Sequence, residues 1–292
     1  MEKIKRNIYI DNIDVDEAKD RYYKKLNINP FWEEIDVVNS LNRVTFEAVY
    51  ALVSSPNYNA AAMDGIAVRS SDTKSATEIN PVILEENKDF VYINTGNPIA
   101  EPHDAVIMIE DIIDLGDGKI KIIKSAHPWQ HVRPIGEDIV ATEMILPSRH
   151  KIRPIDIGAL LSGGIEKIKV YKQPKVGIIP TGSEIVEKVS QLQFGKIIDS
   201  NSRVFEGLIL ENGGIPNRYS PVEDDYDKLK EAVLKGIEEN DILIIGAGSS
   251  AGSKDYTVNI LRELGEVVVH GVALKPGKPT ILGIIDNKPV IG

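Results

Sequence analysis

Apolar positions along the chain change their spacing twice. Residues 14–26, DVDEAKDRYYKKL, place Ala18, Tyr22 and Leu26 four apart among charged residues, which predicts a short amphipathic helix starting near Asp14 or Asp16. From about Phe31 to Val140 the pattern becomes short β-type runs, DAVIMIEDII and KIKII among them, broken by NTGNPIAEP and DLGDGK. RPIDIGALLSGGIEKIKVYKQP then predicts a helix beginning just after Pro154 and ending at Gly163-Gly164, followed by a strand and a linker at Lys172 to Pro174.

The last third alternates differently. Apolar runs VGIIP, IPNRYS, DILII and EVVVHGVAL are interleaved with helical stretches SRVFEGLILEN, DYDKLKEAVLKGIEE and DYTVNILRELG, which predicts an open, mainly parallel α/β sheet. Ligands gather beyond the carboxyl ends of such strands, where helix N-termini and loop amides face outward. The segments expected there are TGSE (Thr181 to Glu184), PVEDD (Pro221 to Asp225), GAGSSAGSKDY (Gly246 to Tyr256) and KPGKP (Lys275 to Pro279).

Composition narrows the chemistry. The chain has 292 residues, enough for about two domains. A formal charge of -10 argues against a general affinity for nucleic acid or anionic membrane, so any anion is bound locally. The absence of cysteine excludes disulfides, thiolate metal sites and cysteine nucleophiles, and the five histidines are scattered. No signal-peptide core or apolar stretch of membrane-spanning length is visible, and a cytoplasmic protein is expected.

The glycine segment bears on phosphate. Gly246, Gly248 and Gly252 allow close backbone approach to a bulky anion, Ser249 and Ser250 add hydroxyls, and a helix follows. The spacing is neither a Walker loop nor a dinucleotide fingerprint, and a tight strand-to-helix connection would use the same residues. The acids nearby have a similar double reading, as ligands for a hard cation or as turn and helix-cap residues.

The residues in order resemble the MoeA-type molybdopterin molybdenumtransferases, related to the E domain of gephyrin. The segments that carry the resemblance are AAMDGIAV (61–68), NTGNPIAEPHDAVIMIED (94–111), RPIGEDI (133–139), IIPTGSEIV (178–186), GKIIDSNSRVFEGLILENGG (195–214), the glycine loop ending in Asp255, and ALKPGKP (273–279). Departures are Ala62 and Ile66 where the family has Ser and Tyr, a glycine loop that differs from G-G-V-S-x-G, and Gly271 where a basic residue is common.

This resemblance implies a multidomain α/β plus mainly-β protein. An N-terminal docking helix (1–29), an elongated linker domain (30–53 and 141–174), an inserted β-rich domain (54–140) and a three-layer α/β/α molybdopterin-binding domain (175–292) are expected. It implies magnesium-dependent insertion of molybdate into adenylylated molybdopterin with release of AMP. Asp64, Asp138, Glu184, Asp224 and Asp255 would be catalytic, with Asp255, Asp224 and Glu184 on the magnesium side. Ligand contacts would come from Thr95, Gly96, Thr181, Gly182, Gly246, Gly248, Ser249, Ser250, Gly252, Lys275 and Lys278, the lysines facing molybdate. A homodimer is expected, with the insert of one subunit serving the α/β cleft of the other. The family's chains continue past the point matching Gly292 into a further loop and a small β domain. A non-catalytic pterin-binding scaffold, and a nucleotide pyrophosphatase or amidohydrolase sharing only the α/β part, are the alternatives.

Overall fold

A computed structural model of the chain describes residues 13–246 and 256–292. The chain forms two compact units, Met1–Phe31 with Lys172–Gly292, and Trp32–Tyr171.

The first unit is built on a six-stranded sheet. In chain order its elements are α1 (Val15–Lys25), β1 (Lys175–Pro180), α2 (Asn201–Glu211), β2 (Ile215–Arg218), α3 (Tyr226–Glu239), β3 (Ile242–Gly246), α4 (Thr257–Leu264), β4 (Glu266–His270), β5 (Ile281–Ile285) and β6 (Lys288–Ile291). The strand order is β2-β1-β3-β6-β5-β4. β2, β1, β3 and β6 are parallel, whereas β5 runs antiparallel to both β6 and β4. β4 therefore points the same way as the parallel set, and every loop expected to meet a ligand leaves from the same edge.

Helices α3 and α4 form because each has an apolar stripe to bury. Leu229, Val233 and Ile237 recur four apart on α3 and pack with Val258 and Leu261 of α4 against Ile179, Leu243, Ile245 and Val290. Ile281 joins that core, while its neighbour Leu282 packs with Ala18, Val269 and Val272 under α1. Successive strand residues face opposite sides, so helices cover both faces of the sheet at this end.

The N-terminal helix docks here through Ala18, Tyr22 and Lys25, the last paired with Glu266 on β4. Asp14 caps α1 by accepting the Asp16 amide, and Asp16 and Glu17 at its start and Lys24 and Lys25 at its end complement the helix dipole. Tyr22 is 5% exposed. Its hydroxyl donates to the Gly283 carbonyl at 2.7 Å and accepts the Val290 amide at 3.0 Å, stitching α1 to β5 and β6.

In the second unit, antiparallel strands Trp32–Asp36 and Lys167–Tyr171 and the helix Pro154–Ser162 enclose Val37, Leu146, Ile152, Leu160, Ile168 and Val170. Proline takes the first helical position, where no amide partner is needed. Asp156 accepts the Arg153 amide, and the Arg153 side chain, with help from His150, holds its carboxyl far below the usual range. The helix stops at the expected glycine pair, where Gly164 takes φ +81°. Residues between these linker strands form two three-stranded antiparallel sheets, around Gly65–Val68 and Lys119–Ile122, over a shared core that includes Ile66, Phe90, Ile107 and Ile120.

Tyr22→Phe is expected to destabilise the chain by about 1–3 kcal/mol, because the Val290 amide and Gly283 carbonyl lose a buried partner. Burial pushes the Tyr22 hydroxyl up to about 12. The native state thus favours the protonated phenol, and the advantage over Phe is full below about pH 10 and shrinks as pH rises from there toward 12. Denaturant unfolding of both proteins at pH 8 and pH 11 checks this, and the gap should be narrower at pH 11.

Candidate functional site

At the carboxyl edge of the sheet, the loops after β1 and β2 continue pairing beyond their strands. Val222 donates its amide to Pro180, and the Gly182 amide returns to the Val222 carbonyl at 3.0 Å. One residue on, Ser183 and Asp224 bond reciprocally: the Ser183 amide donates to Asp224 Oδ2 at 3.2 Å, and the Asp224 amide donates to Ser183 Oγ at 3.1 Å. Asp224 is thereby oriented while staying exposed. Its neighbour Asp225 caps α3, accepting the Lys228 amide at 2.9 Å.

Glycine is required in the first loop. Gly182 has φ +141°, and a Cβ there would lie 2.8 Å from both carboxylate oxygens of Glu184. The glycine lets Glu184 fold back over the loop. Thr181 is 6% exposed, and its amide and hydroxyl both donate to the Gly246 carbonyl, where the glycine loop begins. Thr181 therefore anchors the first loop to the end of β3, and its hydroxyl proton is donated there. Ser183, which the sequence reading passed over inside TGSE, is the residue that joins the loop to Asp224.

KPGKP lies on the same edge but at its far end. Lys275 and Lys278 are exposed on the connection from β4 to β5, where Gly277 takes φ +104°. Two strands, β6 and β5, intervene between β3 and β4, which puts about 14 Å between the strand that ends at Gly246 and the strand that leads to the lysines. Gly248, Ser249, Ser250, Gly252 and Asp255 lie outside the described residues.

In the second unit the structure brings Asp64, Thr95 and Gly96 together. Asn94 to Asn97 form a turn closed by the Asn97 amide on the Asn94 carbonyl, with Gly96 at φ +83° in its third position. The Thr95 amide and hydroxyl donate to Asp64 Oδ1 at 2.7 and 3.0 Å. These two bonds, the amide foremost, hold the Asp64 carboxyl below its ordinary range although the group is exposed. Gly65 follows because a Cβ there would lie 1.9 Å from the Ile107 carbonyl oxygen. Asp138 is placed separately, its carboxylate accepting from Arg133 Nη2 at 2.6 Å and its amide donating to Ser55.

Among the described residues no group of three or more His, Asp or Glu side chains is close enough to hold a metal by itself. Magnesium commonly takes one or two carboxylates and completes its shell with ligand phosphate and water. The exposed Asp224, oriented by Ser183 in the loop that also carries Glu184, fits that habit. It does not make an all-protein cage.

An α/β domain with oriented acids and glycine turns along its carboxyl edge, joined to a β-rich unit with its own acid-bearing turn, defines a ligand-binding class of protein. Residues 13–164 match the MoeA N-terminal region, domains I and II, and residues 177–292 match a probable molybdopterin binding domain. A Methanocaldococcus jannaschii protein named for molybdopterin biosynthesis is 40% identical over 281 residues, covering 91% of this chain and 70% of the relative. The molybdopterin molybdenumtransferase of Haemophilus influenzae is 32% identical over 291 residues, covering 94% and 70%. The crystal structure of the molybdopterin biosynthesis MoeA protein from Pyrococcus horikoshii superposes with a TM-score of 0.83 at 34% identity, over 97% of this chain and 74% of that one. The chain belongs to the MoeA family of molybdenum cofactor biosynthesis enzymes. The match over residues 13–164 removes the alternative in which only the α/β part is shared.

Thr95→Val is expected to raise the Asp64 titration toward the ordinary carboxylate range while leaving it partly lowered, because the amide contact remains. The stabilising effect of the Thr95 contact is present above the unfolded carboxylate value and is lost as pH falls through the lowered native one. Carboxyl-carbon NMR titration of the two proteins measures the shift, and an unmoved Asp64 would show that the hydroxyl has no part in it.

Proposed function

We infer that this chain inserts molybdate into the dithiolene of adenylylated molybdopterin and releases AMP, with magnesium required. The supporting observation is the joined edge at Thr181–Glu184, Asp224 and Gly246, where loop-to-loop bonds hold the Asp224 carboxylate exposed next to the strand end that opens into the glycine segment. Amides at helix starts bind phosphate, and an extended ligand suits an edge on which the strand leading to the lysines lies about 14 Å from the strand ending at Gly246.

The residues divide the work by charge. Amides of the glycine loop would take the pyrophosphate, with Gly246, Gly248, Ser249, Ser250 and Gly252 lining it. Asp224 and Glu184, with Asp255, would hold magnesium, which when bound neutralises phosphate charge as AMP departs. Lys275 and Lys278 present positive charge for the molybdate dianion. Asp64 stays ionised and so serves as a hydrogen-bond acceptor that orients the pterin, with Thr95 and Gly96 fixing its direction. Asp138, held by Arg133, adds a second acceptor of the same kind. The acting species in this reading is a homodimer, which sedimentation velocity checks.

The direct test adds molybdate and magnesium to the chain loaded with adenylylated molybdopterin and follows AMP. Release supports the transferase, whereas tight pterin binding with no release would make the chain a pterin-holding scaffold. Asp224→Asn keeps an oxygen for the Ser183 amide and loses the charge. Pterin affinity is expected to stay within about threefold while magnesium-dependent AMP release falls at least tenfold or so. Unchanged magnesium dependence would take Asp224 out of the metal set.

A further inference from the structure

Between β1 and α2, residues 183–198 fold into a small flap. Its two limbs, Ile185–Val186 and Ile197–Ile198, pair in parallel, with the Ile197 amide on the Glu184 carbonyl and the Asp199 amide on the Val186 carbonyl, each at 2.9 Å. Lys196 reaches back from the second limb to the Ser183 carbonyl at 2.6 Å. The flap is thin, and Val189, Leu192, Phe194 and Ile197 on it are exposed. Little apolar burial holds it, so its position depends on polar bonds.

The strongest of these bonds come from one residue. Arg218 ends β2, and its side chain is 13% exposed. Its guanidinium donates through Nη1 to Asp199 at 3.2 Å and through Nη2 to Glu187. Glu187 follows the first limb, and Asp199 follows the second. Asp199, whose side chain is 4% exposed, also accepts the amide and hydroxyl of Ser202 in the first turn of α2. One planar cation therefore spans both limbs of the flap, the start of a helix and the end of a strand, a geometry that a forked donor supplies and a point charge does not.

We propose that Arg218 is a positioning residue for the ligand edge: by gripping Glu187 and Asp199 it fixes the flap, and through the flap the Thr181–Glu184 loop. Ser183 and Glu184 lie between the anchor at Thr181 and the first limb of the flap, so loosening the second end leaves the Glu184 carboxylate tethered at one side only. The role of the loop in binding pterin rests on the function proposed above, and the mechanical role of Arg218 does not.

The test compares the wild-type chain with Arg218→Met, Arg218→Lys and Glu187→Gln. Amide hydrogen exchange in residues 183–198 should speed up about tenfold or more in Arg218→Met and Glu187→Gln, with α3 amides unchanged, since local opening is governed by the bonds that close it. The dissociation constant for adenylylated molybdopterin should rise about tenfold in the same two variants, equivalent to one lost charge-assisted contact. Arg218→Lys should recover part of both. Should Arg218→Met fail to fold, Glu187→Gln, with its half-exposed carboxylate, still decides the matter. Unchanged exchange of the flap overturns the proposal, as does faster exchange with an unchanged ligand constant. If the wild-type chain binds no pterin, the functional reading fails, while the exchange measurements still determine whether Arg218 holds the loop.

Discussion

The organisation of the α/β unit depends on keeping loop backbones paired after their strands have ended. β-ladder bonds stop at the sheet boundary, and loops beyond it ordinarily turn to water. Here the ladder is extended: Thr181 donates twice to Gly246, Gly182 donates to Val222, and Ser183 and Asp224 close the series. Two loops and the end of β3 are thus joined by ladder bonds and by side-chain bonds that continue them. The consequence for chemistry is preorganisation of the Asp224 carboxylate, which these amides fix in place, so that it need not be ordered when a cation or charged ligand arrives.

The same economy is seen in the second unit. A four-residue turn with glycine at its left-handed position aims the Thr95 amide and hydroxyl at one oxygen of Asp64, leaving the other oxygen for a partner. Asp64 needs no buried cation to remain ionised, since two donors suffice. Gly65 beside it is fixed by packing against the Ile107 carbonyl, so the MDG triplet combines a charge with a steric constraint that only glycine meets.

Much of this was legible in the sequence where periodicity or turn chemistry acts locally. The four-residue spacing of Ala18 and Tyr22, proline at the start of the 154–162 helix and the Gly163-Gly164 stop each correspond to the observed element. The α/β alternation gave the shared edge, because strand direction follows from helical crossovers. Strand order is set by long-range pairing, and so the placing of β6 and β5 between the glycine loop and the lysines could not be read from spacing. Thr181 shows another limit: nothing in its spacing announced that its hydroxyl donates to the Gly246 carbonyl. Arg218 gave no local signal, since its two partners lie 31 and 19 residues away in the chain.

The central claim is that the extended ladder at the carboxyl edge is a binding surface for a phosphate-linked pterin. Backbone amide NMR of the labelled chain, titrated with adenylylated molybdopterin, tests it most directly. The account predicts saturable shifts at Gly182, Ser183, Asp224 and Gly246, with β5 and α1 amides unmoved. Saturable binding that leaves those four amides unshifted would contradict it.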